Sequence, residues 1–304
     1  MHITMRQLQV FEAVARLESF TRAAEELHLS QPAVSMQISQ FENQVGLPLF
    51  EQLGKRIFLT GGGREMHHYA RQILGLVDEA TKVVDDMKGL RRGILDISVA
   101  STANDFAARL LAAFSVAHGH LKYRFDVTNR ETLLRQLEAN EKDLVIMGQP
   151  PDDPALEATA FMDNPLVVIA SPEHALVNDH AITLPRLAQE AFVLRDRASG
   201  TRTAIERFFA AHDIALNSSM EMTTNEAIKQ VVRAGLALGI VSLHTVPLEL
   251  ETGRLKVLDV QGFPIMRHWF VVHRREKRLS LAAQAFKQFV LSRAHEFADL
   301  PRTI

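Results

Sequence analysis

A chain of 304 residues, 47% of them hydrophobic, is long enough for two or three compact units and too apolar to be disordered. It has no cysteine, which excludes disulfides, thiolate metal sites and a thiol nucleophile. The net charge of −2 excludes a polycation, and the first 60 residues hold five Lys/Arg against six Asp/Glu, so a nucleic-acid reading has to rest on where the cations stand. Apolar runs such as 166–170 are too short to cross a bilayer, and no secretory signal opens the chain. A cytoplasmic protein with no membrane partner is expected.

Residues 5–17 carry Leu8, Phe11, Val14 and Ala15 at helical spacing. Ser19 and Thr21 can cap a second helix with a narrow face of Ala23, Ala24 and Leu27, small enough for close packing. After a short connection, Ser30 is an N-cap, Pro32 sits in the first turn, and a third helix runs to about Val45, where Gly46 ends it and Pro48 prevents its return. Its apolar side is Val34, Ile38, Phe41 and Val45. Extended pieces over 49–52 and 57–60 flank the turn Leu53-Gly54-Lys55-Arg56, a hairpin with two cations near its tip. Three helices and a basic hairpin predict a winged helix-turn-helix.

Gly61-Gly62-Gly63 reads as slack before a long helix from about Arg64 to Lys88. Its stripe of Ile73, Leu76, Ala80, Val83 and Met87 calls for a partner: a second copy of the same helix, or the C-terminal part of the chain. Residues 89–93 form a short basic hinge. Beyond it the texture changes to strands at 94–100, 123–127, 144–147, 166–170, 192–195, 240–242 and 269–273. Helices are predicted over 104–118, 131–139, 202–212, 226–234 and 281–295. That alternation predicts parallel sheets covered by helices. The expected division is 1–60 for DNA binding, 61–90 for a linker and dimerisation helix, and 91–304 for an effector-binding domain. Within the last, lobe I comprises 91–163 with 268–304, and lobe II comprises 164–267.

With the apolar side of the third helix inward, Gln31, Pro32, Ser35, Met36 and Ser39 face outward on a short uncharged surface that can approach base edges in the major groove. Gln31 can make a bidentate contact to adenine, and Ser35 can serve either strand. Thr21 and Arg22 are placed for phosphate, and Lys55 and Arg56 for a flanking phosphate or the minor groove. In the C-terminal part, Ser101-Thr102 follows a strand and precedes a helix. Ser199-Gly200-Thr201-Arg202 does the same just after Arg195, and Asn225 opens another helix. Such places bind phosphate or carboxylate, although Ser and Thr also cap helices without any ligand. Asn129 and Gln149 are further candidates.

No P-loop, dinucleotide fingerprint, His-Glu-x-x-His zinc motif or Gly-x-Ser-x-Gly elbow is present, so neither enzyme nor cofactor is expected. His67-His68 point to different sides of a helix and suit solvent better than a metal. The competing readings are a two-lobed solute-binding protein, which does not need a 60-residue head, and a transferase, which would need a nucleophile or metal set.

Three stretches, 20–27 (FTRAAEEL), 30–35 (SQPAVS) and 46–50 (GLPLF) with Leu59-Thr60, closely resemble LysR-type transcriptional regulators. The resemblance spans the whole chain. It implies an α/β protein with an N-terminal winged helix-turn-helix, a long linker helix, and a two-lobed periplasmic-binding-protein-like α/β effector domain. Gln52 stands where many members carry arginine, which moves the expected wing contact to Lys55 and Arg56. Within the family, 50–56, Ser101-Thr102-Ala103, 109–114, 225–230, 271–274 and 277–280 resemble regulators of Calvin-cycle operons. The implied partners are double-stranded promoter DNA, RNA polymerase, a second copy in a homodimer or homotetramer, and a small anionic metabolite. That metabolite is expected to be of the sugar phosphate (ribulose bisphosphate), phosphoenolpyruvate or NADPH type, acting to activate transcription.

Overall fold

The computed structural model describes residues 3–53, 56–87 and 93–297. The chain divides into two compact units, one of residues 1–88 with 138–141 and one of residues 89–137 with 142–304.

The first unit opens with α1 (Met5–Leu17), α2 (Phe20–Glu26) and α3 (Gln31–Val45). A capping box starts α1: Gln7 N donates to Thr4 Oγ1 at 3.2 Å and Thr4 N donates to Gln7 Oε1 at 2.9 Å. Ser19 caps α2, and Ser30 caps α3 with Pro32 in its first turn. Gly46 ends α3 at φ 81°, a left-handed conformation that costs only glycine nothing. Ala23 and Ala24 are buried and bring α2 close, and Phe11 packs edge-on to Phe41 with ring centroids 5.3 Å apart. Strands β1 (Phe50–Leu53) and β2 (Arg56–Leu59) pair antiparallel as the wing. The Glu42 carboxylate of α3 accepts from Leu49 N at 2.7 Å and Phe50 N at 3.1 Å, which fixes the wing root.

The long helix α4 (Gly61–Met87) begins three residues earlier than predicted and takes in all three glycines. They are not slack. Thr60 Oγ1 accepts from Gly63 N at 3.0 Å and starts the helix, while Gly63 lets it press on the wing, since a β-carbon there would lie 2.0 Å from Leu49 O. Alanine ordinarily stabilises a helical glycine position by up to about 1 kcal/mol, but overpacking costs about 1–3 kcal/mol or more when backbone is struck. Gly63→Ala is therefore expected to lower the denaturation midpoint of the winged helix. Gly61→Ala, which meets only Arg64 Nη2 at 3.9 Å, leaves it unchanged or raised. Urea unfolding followed by circular dichroism checks this, and equal midpoints would refute the close approach. Ile73, Leu76 and Ala80 of the predicted stripe are exposed on α4, together with Tyr69 and Val77. The side chains of Val83 and Met87, the helix end at Lys88 and the hinge over 89–92 lie outside the described residues.

The second unit holds two five-stranded sheets. Its elements in order are β3 (Ile94–Ala100), α5 (Asn104–Ala117), β4 (Lys122–Thr128), α6 (Arg130–Glu138), β5 (Leu144–Met147) and β6 (Leu156–Asp163). Next come β7 (Leu166–Ala170), α7 (Leu184–Leu187), β8 (Phe192–Arg195), α8 (Gly200–Ala210), β9 (Ser218–Met222) and α9 (Asn225–Arg233). The chain closes with β10 (Leu238–Ser242), α10 (Pro247–Glu251), β11 (Lys256–Val257), β12 (His268–Arg274) and α11 (Leu281–Arg293). One sheet runs β4-β3-β5-β12-β6 and the other β11-β7-β10-β8-β9. The chain crosses between sheets after β6 and returns before β12, giving two lobes. Residues of β3, β5, β7, β8 and β10 are buried almost throughout because helices cover both faces.

The sheets are mixed and not wholly parallel as predicted: β12 runs antiparallel to β5 and β6, and β7 antiparallel to β10 and β11. The antiparallel strands are those that cross between lobes or edge a sheet, where no right-handed helical connection imposes parallel order. Strands β6, β9 and β11 were not foreseen. They are edge strands whose residues alternate or stay exposed, so no apolar run marks them.

Candidate functional site

On the first unit, Gln31, Pro32, Met36 and Ser39 are exposed on α3 and Ser35 is half-buried, while Val34, Ile38 and Phe41 point inward. The same helix face is free of carboxylates, since the only one on α3, Glu42, is turned to the wing root. Glu12 and Glu26 are both held by Arg16, at 3.0 and 2.5 Å. Thr21 and Arg22 are exposed at the start of α2, with the Arg22 guanidinium also donating to Leu17 O. Arg56 is exposed at the start of β2. Lys55 lies outside the described residues.

In the second unit, the carboxyl ends of β3, β4, β5 and β8 converge on one small cavity of about 40 Å³ between the lobes. Ser101 and Thr102 follow β3, Asn129 follows β4, and Ser199, Gly200 and Thr201 open α8. The cavity thus sits at helix N-termini, where peptide N–H groups and the helix dipole favour anions. Ser199 and Asn129 also cap: Ser199 Oγ accepts from Thr201 N at 3.2 Å and Asn129 Oδ1 from Thr132 N at 2.9 Å. Capping and cavity lining are therefore both true of these residues.

Arg195 lines the cavity with two other arginines, Arg130 and Arg267, and is itself almost wholly buried. It is only 4% exposed, with Nη1 donating to Asn225 Oδ1 at 3.2 Å and Nη2 to Asp196 Oδ2 at 3.3 Å. Its Nε is buried with no hydrogen-bond partner, as is Nε1 of Trp269, another lining residue. A buried donor left unpaired costs about 1–3 kcal/mol, so two of them at one cavity call for an acceptor.

Three expected residues stand elsewhere. Arg202 points away from the cavity, ion-paired with Glu206 at 2.5 Å one turn along α8, and donates to Arg195 O at 3.1 Å. Asn225 acts from behind by orienting Arg195. Gln149 is exposed and lines a second, outer cavity, its carbonyl accepting from Arg130. Sequence reasoning missed Arg130, Arg267, Trp269, Thr128, Gly148 and Asn164, all at the inner cavity. For Arg130 the signal was there, next to Asn129 at a strand end. Arg267 and Trp269 arrive from the return crossover, far along the chain, and no local motif marks them. Burial and the guanidiniums of Arg130 and Arg207 hold Arg267 down at about 10, well below the ordinary arginine range.

Among the described residues, no group of acidic or histidine side chains could hold a metal ion, and no helix is long and apolar enough to cross a membrane.

Residues 5–64 match the family model for the bacterial regulatory helix-turn-helix protein, lysR family, and residues 88–295 match the LysR substrate binding domain. The chain is 58% identical to the RuBisCO operon transcriptional regulator of Allochromatium vinosum, over 97% of both chains. It is 40% identical to the HTH-type transcriptional activator CmpR of a Synechocystis strain, over 97% of this chain and 96% of that one. Among solved structures, the Synechocystis PCC6803 CcmR regulatory domain in complex with 2-PG is 35% identical, with a TM-score of 0.64, covering 68% of this chain and 99% of that one. Full-length CbnR complexed with its target DNA shares the fold over 97% of this chain and all of its own, with a TM-score of 0.69 at 20% identity. The relatives are transcriptional regulators and not enzymes, and the helix-turn-helix match sets aside the solute-binding and transferase readings. The two family matches and the 58% identical relative, on a winged helix followed by a two-lobed domain, make this chain a DNA-binding transcriptional regulator of the LysR family.

Proposed function

We propose that this protein regulates carbon-fixation genes in response to a small phosphorylated anion bound in the inner cavity. The observation that carries the ligand is the pair of buried unpartnered donors, Arg195 Nε and Trp269 Nε1, beside the N-terminus of α8. The gene class follows from the relatives' names, and the ligand class from CcmR, which binds 2-phosphoglycolate. Sugar phosphates, phosphoenolpyruvate and NADPH belong to the same chemistry. Gln31, Pro32, Ser35, Met36 and Ser39 read base edges, Thr21 and Arg22 hold phosphate, and Lys55 and Arg56 act from the wing.

The exposed stripe of α4 pairs with its counterpart in a second copy, and effector domains associate further into a homotetramer in the cytoplasm. This assigns 1–60 to DNA, 61–90 to dimerisation and 91–304 to the effector. Ligand closes the lobes about the crossovers, respaces the winged helices on DNA and changes promoter contact by RNA polymerase, an effect limited by the ligand's preference for one assembly over the other.

Calorimetry of the full chain with 2-phosphoglycolate tests the cavity. Thr201→Val, which removes a buried hydroxyl, is expected to weaken binding about tenfold, the worth of one charge-assisted hydrogen bond. Unchanged affinity in that variant would place the ligand elsewhere.

A further inference from the structure

The inner cavity does not use all the cationic charge near it. On the far side of Arg130, Gly200 and Arg267 lies an outer cavity of about 1110 Å³, these three residues lining both. A β-carbon on Gly200 would sit 3.5 Å from Arg130 Cδ and 3.9 Å from Arg267 Nη2, so both side chains flank the start of α8. One on Gly148 would lie 2.7 Å from Arg267 Nη2, so the bare glycine admits that guanidinium. Arg207, two turns along α8, faces the same outer cavity and acts on both arginines.

Among the described residues, no hydrogen bond or ion pair occupies the guanidinium of Arg207 or of Arg267, and Arg130 reaches only a backbone carbonyl. Asp152 and Asp153 line the same cavity, but neither is among the charges acting on Arg130 or Arg267. Three guanidiniums repelling one another without a carboxylate between them make an arrangement that an anion stabilises. The remaining walls mix apolar side chains, among them Phe208, Phe270 and Met266, with Gln149, Thr203, His268 and Arg275, the last of which donates to Pro154 O and Leu156 O.

We propose that the outer cavity is a second anion site, taking a phosphate ester with an apolar or aromatic body, with the phosphate on Arg207, Arg130 and Arg267 and the body on Phe208 and Phe270. Because Arg130 and Arg267 serve both cavities, the anion that arrives first relieves their repulsion and leaves less for the second. The two sites are therefore negatively coupled while both can be filled. The coupling rests on the inner-cavity reading above; the outer site does not.

The test is calorimetry on the full chain with phenyl phosphate as outer probe and 2-phosphoglycolate as inner probe. Wild type is expected to bind phenyl phosphate. Arg207→Ala, a change at an exposed position without a structural partner, is expected to weaken that binding about tenfold or more and to change 2-phosphoglycolate affinity less than about threefold. Rising 2-phosphoglycolate is expected to weaken phenyl phosphate about fivefold and then level off, as coupled sites do. Phenyl phosphate binding that ignores Arg207→Ala, or weakens without limit as 2-phosphoglycolate rises, would mean a single site and overturn the proposal. Binding of 2-phosphoglycolate alone would remove the outer site and keep the inner one. Arg207-dependent binding of phenyl phosphate alone would keep the outer site and overturn both the inner reading and the coupling.

Discussion

Replacement of Phe41 by alanine is expected to abolish specific DNA binding, although Phe41 touches no DNA. The ring is fully buried on the inner side of α3, edge-on to Phe11, which in turn packs against Phe50 of the wing. Phe41 thus anchors α3 to Phe11, the ring that joins the first helix to the wing. Truncating a buried phenylalanine costs about 3–5 kcal/mol, against a total stability of about 5–15 kcal/mol for an ordinary domain. A unit of this size has little to spare. Phe41→Leu keeps most of the volume and is expected to retain binding at a reduced melting temperature. Anisotropy and circular dichroism on both variants check this. Full operator affinity in Phe41→Ala would mean that the core of the first unit is not organised around this residue.

The second large effect is at Arg195. Arg195→Ala is expected to lower 2-phosphoglycolate affinity about a hundredfold, the combined loss of a charge-assisted fork and of the charge itself. It also leaves Asp196 and Asn225 without their guanidinium, and breaking such a buried pairing destabilises by about 3–5 kcal/mol, less here because Asp196 is partly exposed. Arg195→Lys separates the two effects. It keeps the charge, loses the fork, and is expected to fold while binding about tenfold more weakly than wild type. Binding by Arg195→Lys as weak as by Arg195→Ala, in a folded protein, would show that geometry alone matters. Wild-type affinity in both would remove Arg195 from the site.

The winged helix was legible because its punctuation is local. Ser30, Pro32 and Gly46 mark the ends of α3 through caps that need no tertiary partner, and Val34, Ile38 and Phe41 give its inner face by spacing alone. The same rule misled at Gly61-Gly62-Gly63. There the penalty on glycine in a helix is overridden by the Thr60 cap and by the need for a bare Cα against Leu49, neither of which composition shows. Central strands were visible as apolar runs, whereas β6 and β9 edge their sheets and read as polar loop.

At the cavity, the strand-loop-helix rule found Ser101, Thr102, Asn129, Arg195 and Ser199 to Thr201, because strand ends and helix starts are adjacent in sequence. It then overreached by one or two residues. Arg202 lies just past the turn, and the helical rotation carries its side chain to Glu206 and not into the cavity. Arg267 and Trp269 reach the cavity only because β12 returns to the first lobe, a pairing that no local pattern announces.

The most direct single measurement is fluorescence anisotropy of the full chain on DNA from upstream of its own gene, against shuffled DNA, with and without 2-phosphoglycolate. Preference for the upstream DNA that shifts when the anion is added, needs about ten times more anion to shift in Arg195→Lys, and stays unshifted in Arg195→Ala at the wild-type anion concentration, is the expected result. Equal binding to both DNAs, or a shift that survives in Arg195→Ala, would contradict an operator-binding regulator controlled from this cavity.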